Sequence, residues 1–341
     1  EPLSAAQARA EEPALTPAIT AAYRVPDGSV DSFDMIHGFV EAARALGSDA
    51  WIYQGVTGLL REGDAVVGAT LQDTRSGEQR TVHAACVLNA AGPWAGIVAQ
   101  MAGLDVSVKF DRGAMVAMNT RWVNTVVNRL RPAADGDILV PVGTVCVLGT
   151  TSVRTDAPDD YRVEAWEVSK ILAEADVVVP GIRYGRALRA WAGVRPLYEP
   201  HEAGNDEAQG RDVARTFSVL DHAALDGVRG LVTVTGGKLT TCRLMAEKAV
   251  DAVCAQLGVS TPCTTADEVL PIPAATAGRY HRLDHRLHKL ERGEMPGELI
   301  CECEMVTRPQ LEAAIAAYGD QPVALDDLRR DLRLGMGPCQ A

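Results

Sequence analysis

The chain has 341 residues, of which 47% are apolar and 23% are charged, so it is long enough for a large core and for roughly two or three domains. Its formal net charge of −12, from 33 basic and 45 acidic residues, argues against nucleic acid as a general partner, because phosphate backbones bind basic surfaces. No stretch approaches the ~20 consecutive apolar residues of a membrane-spanning helix. The eight cysteines are scattered, which favours a reducing cytoplasm over a disulfide framework.

The first part of the chain predicts a helix followed by hairpins. Asp31 or Ser32, at the end of a turn-rich segment, is a candidate cap for the helix. From residue 50 onwards, β-rich runs alternate with turns that contain glycine, which is typical of hairpins. The expected strands are at 52–60, 65–72, 81–88, 138–140 and 145–148.

Two strands are predicted to end in turns of small residues that lead into helices. Asn89-Ala-Ala-Gly-Pro-Trp94 follows one strand, and Gly236-Gly-Lys238 follows the run that begins at Leu231. Such turns let backbone N–H groups approach a ligand closely, although each one alone is typical of an ordinary turn. The two turns together favour one planar ligand held by several loops of an α/β sheet.

Three cations, Arg195, Arg215 and Lys238, each begin or end a predicted strand. Clustered in an acidic protein they would form a phosphate site, in which arginine is a bidentate fork and lysine a point charge. Pairing of each cation with a surface carboxylate is an equally open interpretation.

Cys301, Cys303 and Cys339 form the sharpest local pattern of the chain. Two thiols one residue apart, with a third in a glycine loop, suit an iron–sulfur or soft-metal site, with zinc as the second choice. Three unrelated buried cysteines are the alternative. A [2Fe–2S] cluster needs four ligands, so the fourth would have to come from beyond Ala341 or from elsewhere.

The helix after Lys238 is expected to end at Gly258, which places a domain boundary near residue 260. Beyond it, His281, His285 and His288 fall on one face of a helical pattern. A zinc site is conceivable there, but the interleaved basic residues favour a solvated basic helix.

Motifs spread in order over nearly the whole chain resemble those of FAD-dependent glycerol-3-phosphate dehydrogenases. They are Glu12-Pro-Ala-Leu15, Val25-Pro-Asp-Gly28, Asn89-Ala-Ala-Gly92, Ile138-Leu-Val-Pro141, Gly149-Thr-Thr151, Gly193-Val-Arg-Pro196 and Gly236-Gly-Lys-Leu-Thr240. The tail, Cys301-Glu-Cys303 with Gly335-Met-Gly-Pro-Cys-Gln340, is similar to that of the large flavoprotein subunit of the anaerobic enzymes. That flavoprotein carries a small ferredoxin-like [2Fe–2S] domain of the BFD type.

The resemblance implies an α/β fold with α+β elements, of the two-part DAO or glutathione-reductase-like type. Residues 1–258 would form the FAD-dependent oxidoreductase domain, 259–297 a linker with helical character, and 298–341 the BFD-like [2Fe–2S] domain. The family opens with a βαβ unit bearing Gly-x-Gly-x-x-Gly, which is not found in this chain. We therefore expect a fragment truncated at both ends, without roughly 50 or more preceding residues, that binds neither FAD nor the cluster stably on its own.

The resemblance also implies residue roles. Arg195, Arg215 and Lys238 match substrate positions of the family and are the candidate catalytic residues, whereas Cys242 stands where tyrosine is common. The implied cofactor-binding residues are Val56, Ala91, Gly92, Trp94, Gly236, Gly237, Lys238, Leu239 and Thr240. The implied ligands of the [2Fe–2S] cluster are Cys301, Cys303 and Cys339.

The implied reaction is the oxidation of sn-glycerol 3-phosphate to dihydroxyacetone phosphate, with hydride transfer from C2 to the flavin N5. Electrons would then pass through iron–sulfur centres to a membrane quinone. Partner subunits would hold the chain at the inner, cytoplasmic face of the cell membrane, since it carries no anchor of its own.

Two other functions stay open. One is a related flavin oxidase of an amino or hydroxy acid; the cations favour a phosphorylated substrate instead, and the cysteines favour electron export over transfer to oxygen. The other is a non-catalytic electron-transfer or cluster-delivery module whose flavin-binding half is degenerate.

Overall fold

The computed structural model describes residues 1–198, 216–269 and 283–339, and they form a mixed α/β fold. The strands are β1 (Pro2–Leu3), β2 (Ala22–Tyr23), β3 (Gln54–Glu62), β4 (Ala65–Asp73), β5 (Gln79–His83), β6 (Val87–Asn89), β7 (Val108–Met118), β8 (Val127–Asn128), β9 (Ile138–Val142), β10 (Val145–Gly149), β11 (Val153–Thr155), β12 (Ala187–Tyr198), β13 (Phe217–Asp221), β14 (Leu231–Gly236), β15 (Leu299–Cys301) and β16 (Val306–Thr307). The helices are α1 (Ala5–Glu11), α2 (Ser32–Ala45), α3 (Ala95–Gln100), α4 (Ala165–Val178), α5 (His222–Leu225), α6 (Cys242–Leu257), α7 (Leu283–Glu291), α8 (Arg308–Ala317) and α9 (Leu325–Leu332).

Helix boundaries predicted from local signals are confirmed. The Asp31 carboxylate accepts hydrogen bonds from the first turn of α2, at 3.0 Å from the N–H of Phe33. Gly258, in the left-handed region at φ +69°, ends α6. Such caps satisfy backbone groups that have no partner inside the helix, and a few adjacent residues determine them.

The predicted strand at 81–88 is wrong as a single element. Residues 79–83 pair with β4 in the hairpin sheet, whereas residues 87–89 form β6 and pair with β14. The chain leaves one sheet and enters another between them. Strand propensity alone does not detect this change of partner, because both halves are equally β-rich.

Three main sheets form the framework. β3, β4 and β5 are an antiparallel meander. β7 lies at the centre of a six-stranded sheet, where it pairs with β10, β11 and β12. The third sheet has the order β13–β14–β6, and β14 and β6 are the one parallel pair of named strands among the described residues. The ends of this pair position the candidate site.

Two apolar clusters support these sheets. One joins the six-stranded sheet to α4 and includes Met118, Leu139 and Ile171, which are fully buried. The other joins α3 to β4 and β14 through residues such as Ala99 and Leu231. In the described part of the chain, no helix combines the length and the apolar character that crossing a membrane requires.

Candidate active site

The strand-end site, defined as residues 89–94 and 236–240, lies where β6 and β14 end side by side. In this parallel pair Val87 is opposite Leu231, and Asn89 is opposite Thr233. The carboxyl ends of both strands therefore reach the same edge of the sheet, and the two turns predicted from the sequence lie next to each other. In α/β sheets such an edge is the usual place for a ligand.

Glycines shape both turns. Gly92 has φ +57°, and a Cβ placed on it would meet no atom within 4 Å, so the space beside this turn is open. Gly236 and Gly237 have φ +77° and +81°, and a Cβ on Gly237 would lie 2.3 Å from Sδ of Met245. Side-chain-bearing residues rarely adopt this backbone conformation, so the second turn depends on its two glycines.

Lys238 is an exposed cation at the start of α6. Its backbone N–H donates to Oγ1 of Thr241 at 3.1 Å, and its carbonyl accepts from the same hydroxyl at 2.9 Å. These bonds begin the 3-10 turn Leu239–Thr241 that leads into the helix. The ammonium group forms no ion pair with a described residue, so its charge is available to a ligand.

Arg195, in contrast, is held by its neighbours. It lies on β12 opposite Asp111 of β7, and its Nη1 donates to Oδ2 of that carboxylate at 2.5 Å. Its Nη2 donates to the hydroxyl of Thr150 at 2.9 Å and to the carbonyl of Thr151 at 3.2 Å. Asp111 is fully buried and also accepts from Ser152 Oγ at 2.6 Å. A guanidinium has five N–H groups, so Arg195 keeps two that no described residue accepts.

Gly113 makes room for this arginine. It is the register partner of Gly193, in the motif that contains Arg195. A Cβ on Gly113 would lie 2.2 Å from Nη2 and 2.6 Å from Cζ of Arg195, whereas a Cβ on Gly193 would meet nothing within 4 Å. The guanidinium therefore lies directly over Gly113, and only a residue without a side chain permits this.

A buried ion-pair network lies behind Arg195. Thr151 donates its hydroxyl to Oε1 of Glu167 at 2.6 Å. The other oxygen of Glu167 accepts from Nη2 of Arg112 at 3.0 Å, and Nη1 of Arg112 donates to Asp160 at 3.2 Å. Arg112 and Glu167 are both buried. Two neighbouring residues of β7 thus have different partners: Asp111 binds Arg195, and Arg112 binds Glu167 and Asp160.

The structure brings the two predicted turns and the strand of Arg195 into one region, because β12 packs against β14 and against the 3-10 turn Gly92–Trp94. Trp94 and Leu239 are partly exposed there. Val56 lies on β3 of the hairpin sheet, outside the strand-end site. Arg215 lies outside the described residues.

Three residues that contact this region were not singled out from the sequence: Asp111, His222 and Thr233. A signal for Asp111 was present, because Asp111-Arg112 stands inside a long β-run and adjacent charges in a buried strand require partners. His222 and Thr233 had no such signal, since a histidine and a threonine are ordinary in these elements.

The profile of the family described as FAD dependent oxidoreductase (DAO) matches residues 1–251. The chain belongs to this family. Along its whole length it is 41% identical to the A-subunit of the anaerobic glycerol-3-phosphate dehydrogenase of Escherichia coli (strain K12) and 38% identical to the A1-subunit of the enzyme of the same name from Haloferax volcanii. It spans 65% and 62% of these relatives. The structure is similar to that of the glycerol-3-phosphate dehydrogenase from Bacillus halodurans complexed with FAD, with a TM-score of 0.63, 26% identity and coverage of 86% of this chain and 57% of that one.

The strand-end site fits the family's cofactor on observations made in this structure. The hydroxyl of Thr235, buried at the end of β14, has no hydrogen-bond partner among the described residues, and buried hydroxyls normally have one. The open space at Gly92 and the glycine backbone after β14 leave room for a planar group. A flavin ring has both the flat faces and the polar edge that this arrangement accommodates.

In the cysteine segment, residues 299–339, Cys303 contacts Cys339 and packs against the apolar cluster that contains Cys301. The Cys303 thiol is hydrogen-bonded to Cys339, and this contact raises the pKa of Cys303. A Cβ on Gly337 would lie 2.5 Å from Cβ of Cys303, so the two loops touch. Cys301 lies opposite Val306 in the pairing of β15 with β16 and is buried in an apolar cluster, against which Cys303 also packs.

The described residues alone do not complete an iron–sulfur site. Within the described ranges, no set of three or more His, Cys, Asp or Glu residues is arranged to hold a metal ion. A [2Fe–2S] cluster needs four ligands, whereas the cysteine segment supplies three cysteines. Of the three histidines considered for zinc, His281 and the side chain of His285 lie outside the described residues, and His288 is in contact with Arg292 at 3.3 Å.

Proposed function

We propose that, in the native-length protein, the strand-end site of this chain binds FAD and sn-glycerol 3-phosphate is oxidised to dihydroxyacetone phosphate. The observation that carries the proposal is that the strand of Arg195 packs against the strand that ends in the turn of Lys238. An arginine fork and a lysine point charge together suit a phosphate ester. The similarity of the whole chain to the relative from Escherichia coli supports the same substrate.

The two cations have different tasks in this proposal. The charge of Arg195 is compensated by the buried carboxylate of Asp111, so the arginine contributes oriented N–H groups and little net charge. Lys238 has no such counter-ion among the described residues and contributes the net positive charge that attracts a phosphate. Arg215, outside the described residues, is proposed as a third cation of this set.

The cofactor would lie against the backbone of Ala91, Gly92, Gly236 and Gly237, with the hydroxyl of Thr235 as a hydrogen-bonding group. When bound, FAD supplies the acceptor for the hydride that leaves the alcohol carbon. We also assign contacts with the cofactor to Trp94, Lys238, Leu239 and Thr240, and a more distant backbone contact to Val56.

We also propose domain boundaries after residues 258 and 297. Residues 298–341 would pass electrons to partner subunits, and from there to a membrane quinone at the inner face of the membrane. The similarity of the tail and the word "subunit" in the names of the relatives support it. Iron and acid-labile sulfide analysis of the native-length gene product tests it. We expect one [2Fe–2S] cluster per chain, and an iron-free product that still oxidises the substrate would contradict this assignment.

Lys238→Ala provides the direct test of the substrate. In the native-length, FAD-loaded protein, we expect the KM for glycerol 3-phosphate to rise about tenfold or more, which corresponds to about 1.4 kcal/mol. Initial rates with a dye as electron acceptor measure this, with glycerol and glycine as alternative substrates. Lys248→Ala is the matched control, because Lys248 is an exposed lysine of α6, the helix that follows Lys238, and pairs with Glu247 and Asp251.

Equal KM values for the Lys238→Ala and Lys248→Ala variants would remove Lys238 from the site. Oxidation of glycerol or glycine at rates comparable to that of glycerol 3-phosphate would contradict the phosphorylated substrate.

A further inference from the structure

His222 is a buried titratable side chain that the proposed reaction does not use. It is the first residue of the short helix α5 and only 2% of its surface is exposed. Both ring nitrogens are engaged: Nδ1 lies 2.6 Å from Oδ2 of Asp226, and Nε2 lies 2.9 Å from Oγ1 of Thr233. A buried imidazole with two partners has one defined orientation.

The two partners of His222 place it inside a chain of hydrogen bonds. A carboxylate can only accept, so Nδ1 of His222 donates to Asp226, and Nε2 is hydrogen-bonded to the hydroxyl of Thr233. The Thr233 oxygen in turn accepts from Nδ2 of Asn89 at 3.3 Å. The result is a continuous chain of hydrogen bonds from the partly exposed Asp226 to Asn89.

Asn89 connects this chain of hydrogen bonds to the first turn of the strand-end site. Its Nδ2 also donates to the carbonyl of Ala95 at 2.8 Å, at the start of α3. Its Oδ1 accepts from the backbone N–H of Ala91 at 3.3 Å. The side chain of Asn89 thus bridges the ends of the turn, and its amide cannot rotate without the loss of several bonds.

The same network also touches the second turn. Thr233 is the register partner of Asn89 and stands on β14, three positions before Gly236. His222 follows β13, which pairs with β14 along its length. One imidazole therefore links the elements that carry both turns.

We propose that His222 is a positioning residue for the flavin: through Thr233 it orients Asn89 and so fixes the backbone of the Asn89–Gly92 turn against the cofactor. This inference rests on the proposed location of FAD at the strand-end site, and it does not depend on the substrate. His222 touches neither cofactor nor substrate in this scheme.

The test uses matched pairs of variants and measures FAD binding to the native-length apoprotein, by flavin fluorescence and by the visible absorption spectrum of the bound flavin. Thr233→Val removes the hydroxyl at nearly constant volume, whereas Thr233→Ser keeps it. His222→Asn retains a polar group near Nδ1 only, and His222→Gln retains an acceptor near Nε2 only.

We expect Thr233→Val and His222→Asn to raise the Kd for FAD about tenfold and to shift the flavin band, since one buried hydrogen bond in the network is lost. Thr233→Ser and His222→Gln should remain within about twofold of the wild type, because the bond between positions 222 and 233 is kept. If Thr233→Val does not fold, the two variants at position 222 decide the question by the same measurements.

Equal FAD affinities and spectra for the two members of each pair would overturn the inference. They would show that FAD binding does not depend on the hydrogen bond between positions 222 and 233. A protein that shows the expected pattern of FAD binding but does not oxidise glycerol 3-phosphate would retain this inference and refute the proposed substrate.

Discussion

The region around Arg195 is positioned by backbone hydrogen bonds between β7 and β12. The cysteine segment, in contrast, is attached to the rest of the molecule by side chains. β7 and β12 pair over most of their lengths, and this register places Arg195 opposite Asp111 and Gly113 opposite Gly193. Each of these contacts follows from the pairing of the strands. A single side chain can be replaced here without releasing the strand that carries it.

In the cysteine segment, β15 and β16 pair only with each other in the described part of the chain. Its long-range contacts are side-chain bonds: Arg333 Nη1 to Asp31 at 2.6 Å, Tyr53 to Asp327 at 2.6 Å, and Arg75 to the carbonyl of Pro322 at 2.7 Å. Loss of one of these side-chain bonds should loosen the segment while the sheets stay folded. The comparison therefore predicts different consequences for similar changes in the two regions.

The largest expected effect on stability is at Glu167, in the network behind Arg195. Glu167→Gln leaves the buried Arg112 without its closest carboxylate and should lower the free energy of unfolding by about 3 kcal/mol. Urea denaturation measures this. Glu164→Gln is the control, because Glu164 lies 3.7 Å from the same arginine but its side chain is 57% exposed.

For Glu164→Gln we expect a change of about 0.5 kcal/mol or less. Equal destabilisation by both variants would mean that burial does not determine the strength of these pairs, and the description of this region as a buried, compensated network would be wrong.

The next effect concerns the position of Arg195. Gly113→Ala places a methyl group where the guanidinium lies and should lower kcat/KM for glycerol 3-phosphate about thirtyfold, since a displaced arginine no longer orients the substrate. Gly193→Ala, at the paired position with open space, should leave kcat/KM within about twofold of the wild type. Steady-state kinetics decide the matter, and two equally active variants would show that Arg195 does not need its observed position.

In the cysteine segment, Arg333 pairs with Asp31 and with Glu304 at 3.1 Å. Arg333→Asn removes both pairs and keeps a residue that tolerates the left-handed backbone at φ +61°. We expect faster hydrogen exchange in residues 299–339, by a factor that corresponds to about 1.5 kcal/mol, while the sheets keep their protection.

Arg308→Ala is the control for that variant, because the pair of Arg308 with Glu298 is exposed on both sides and should contribute little. Faster exchange throughout the molecule in Arg333→Asn would show that the cysteine segment and the sheets unfold as one unit, contrary to the comparison.

The smallest effect depends on pH. Hydrogen bonding with Lys170, and with Arg129 and Arg131, lowers the pKa of Glu174 from its ordinary value of 4.5 to about 2. A lowered pKa stabilises the folded state above pH 4.5, and this contribution disappears as the pH falls through about 2. Glu174→Gln should therefore be less stable than the wild type by about 1 kcal/mol at pH 7, after allowance for partial exposure, with a smaller difference at pH 3. A difference that is independent of pH would contradict the assigned cause.

Much of the secondary structure follows from local signals. Asp31 caps α2 and Gly258 ends α6, as the sequence predicts, because each cap depends on the geometry of a few consecutive residues. The two glycine turns of the strand-end site were also visible as strand, turn and helix.

What lies around those turns could not be predicted in the same way. The division of the run at 81–88 between two sheets, the ion pair of Arg195 with Asp111, and the network of His222 all join residues that the sequence gives no reason to pair. The burial of Cys301 depends likewise on the pairing of β15 with β16.

By itself, the sequence determined the family resemblance, the caps and the presence of glycine turns after two strands, because backbone conformation responds to neighbouring residues. Only the tertiary structure decided that Arg195 is compensated while Lys238 has no counter-ion among the described residues, and that Cys303 meets Cys339. Charge compensation and burial depend on which strands become neighbours, and that is settled by packing over the whole chain.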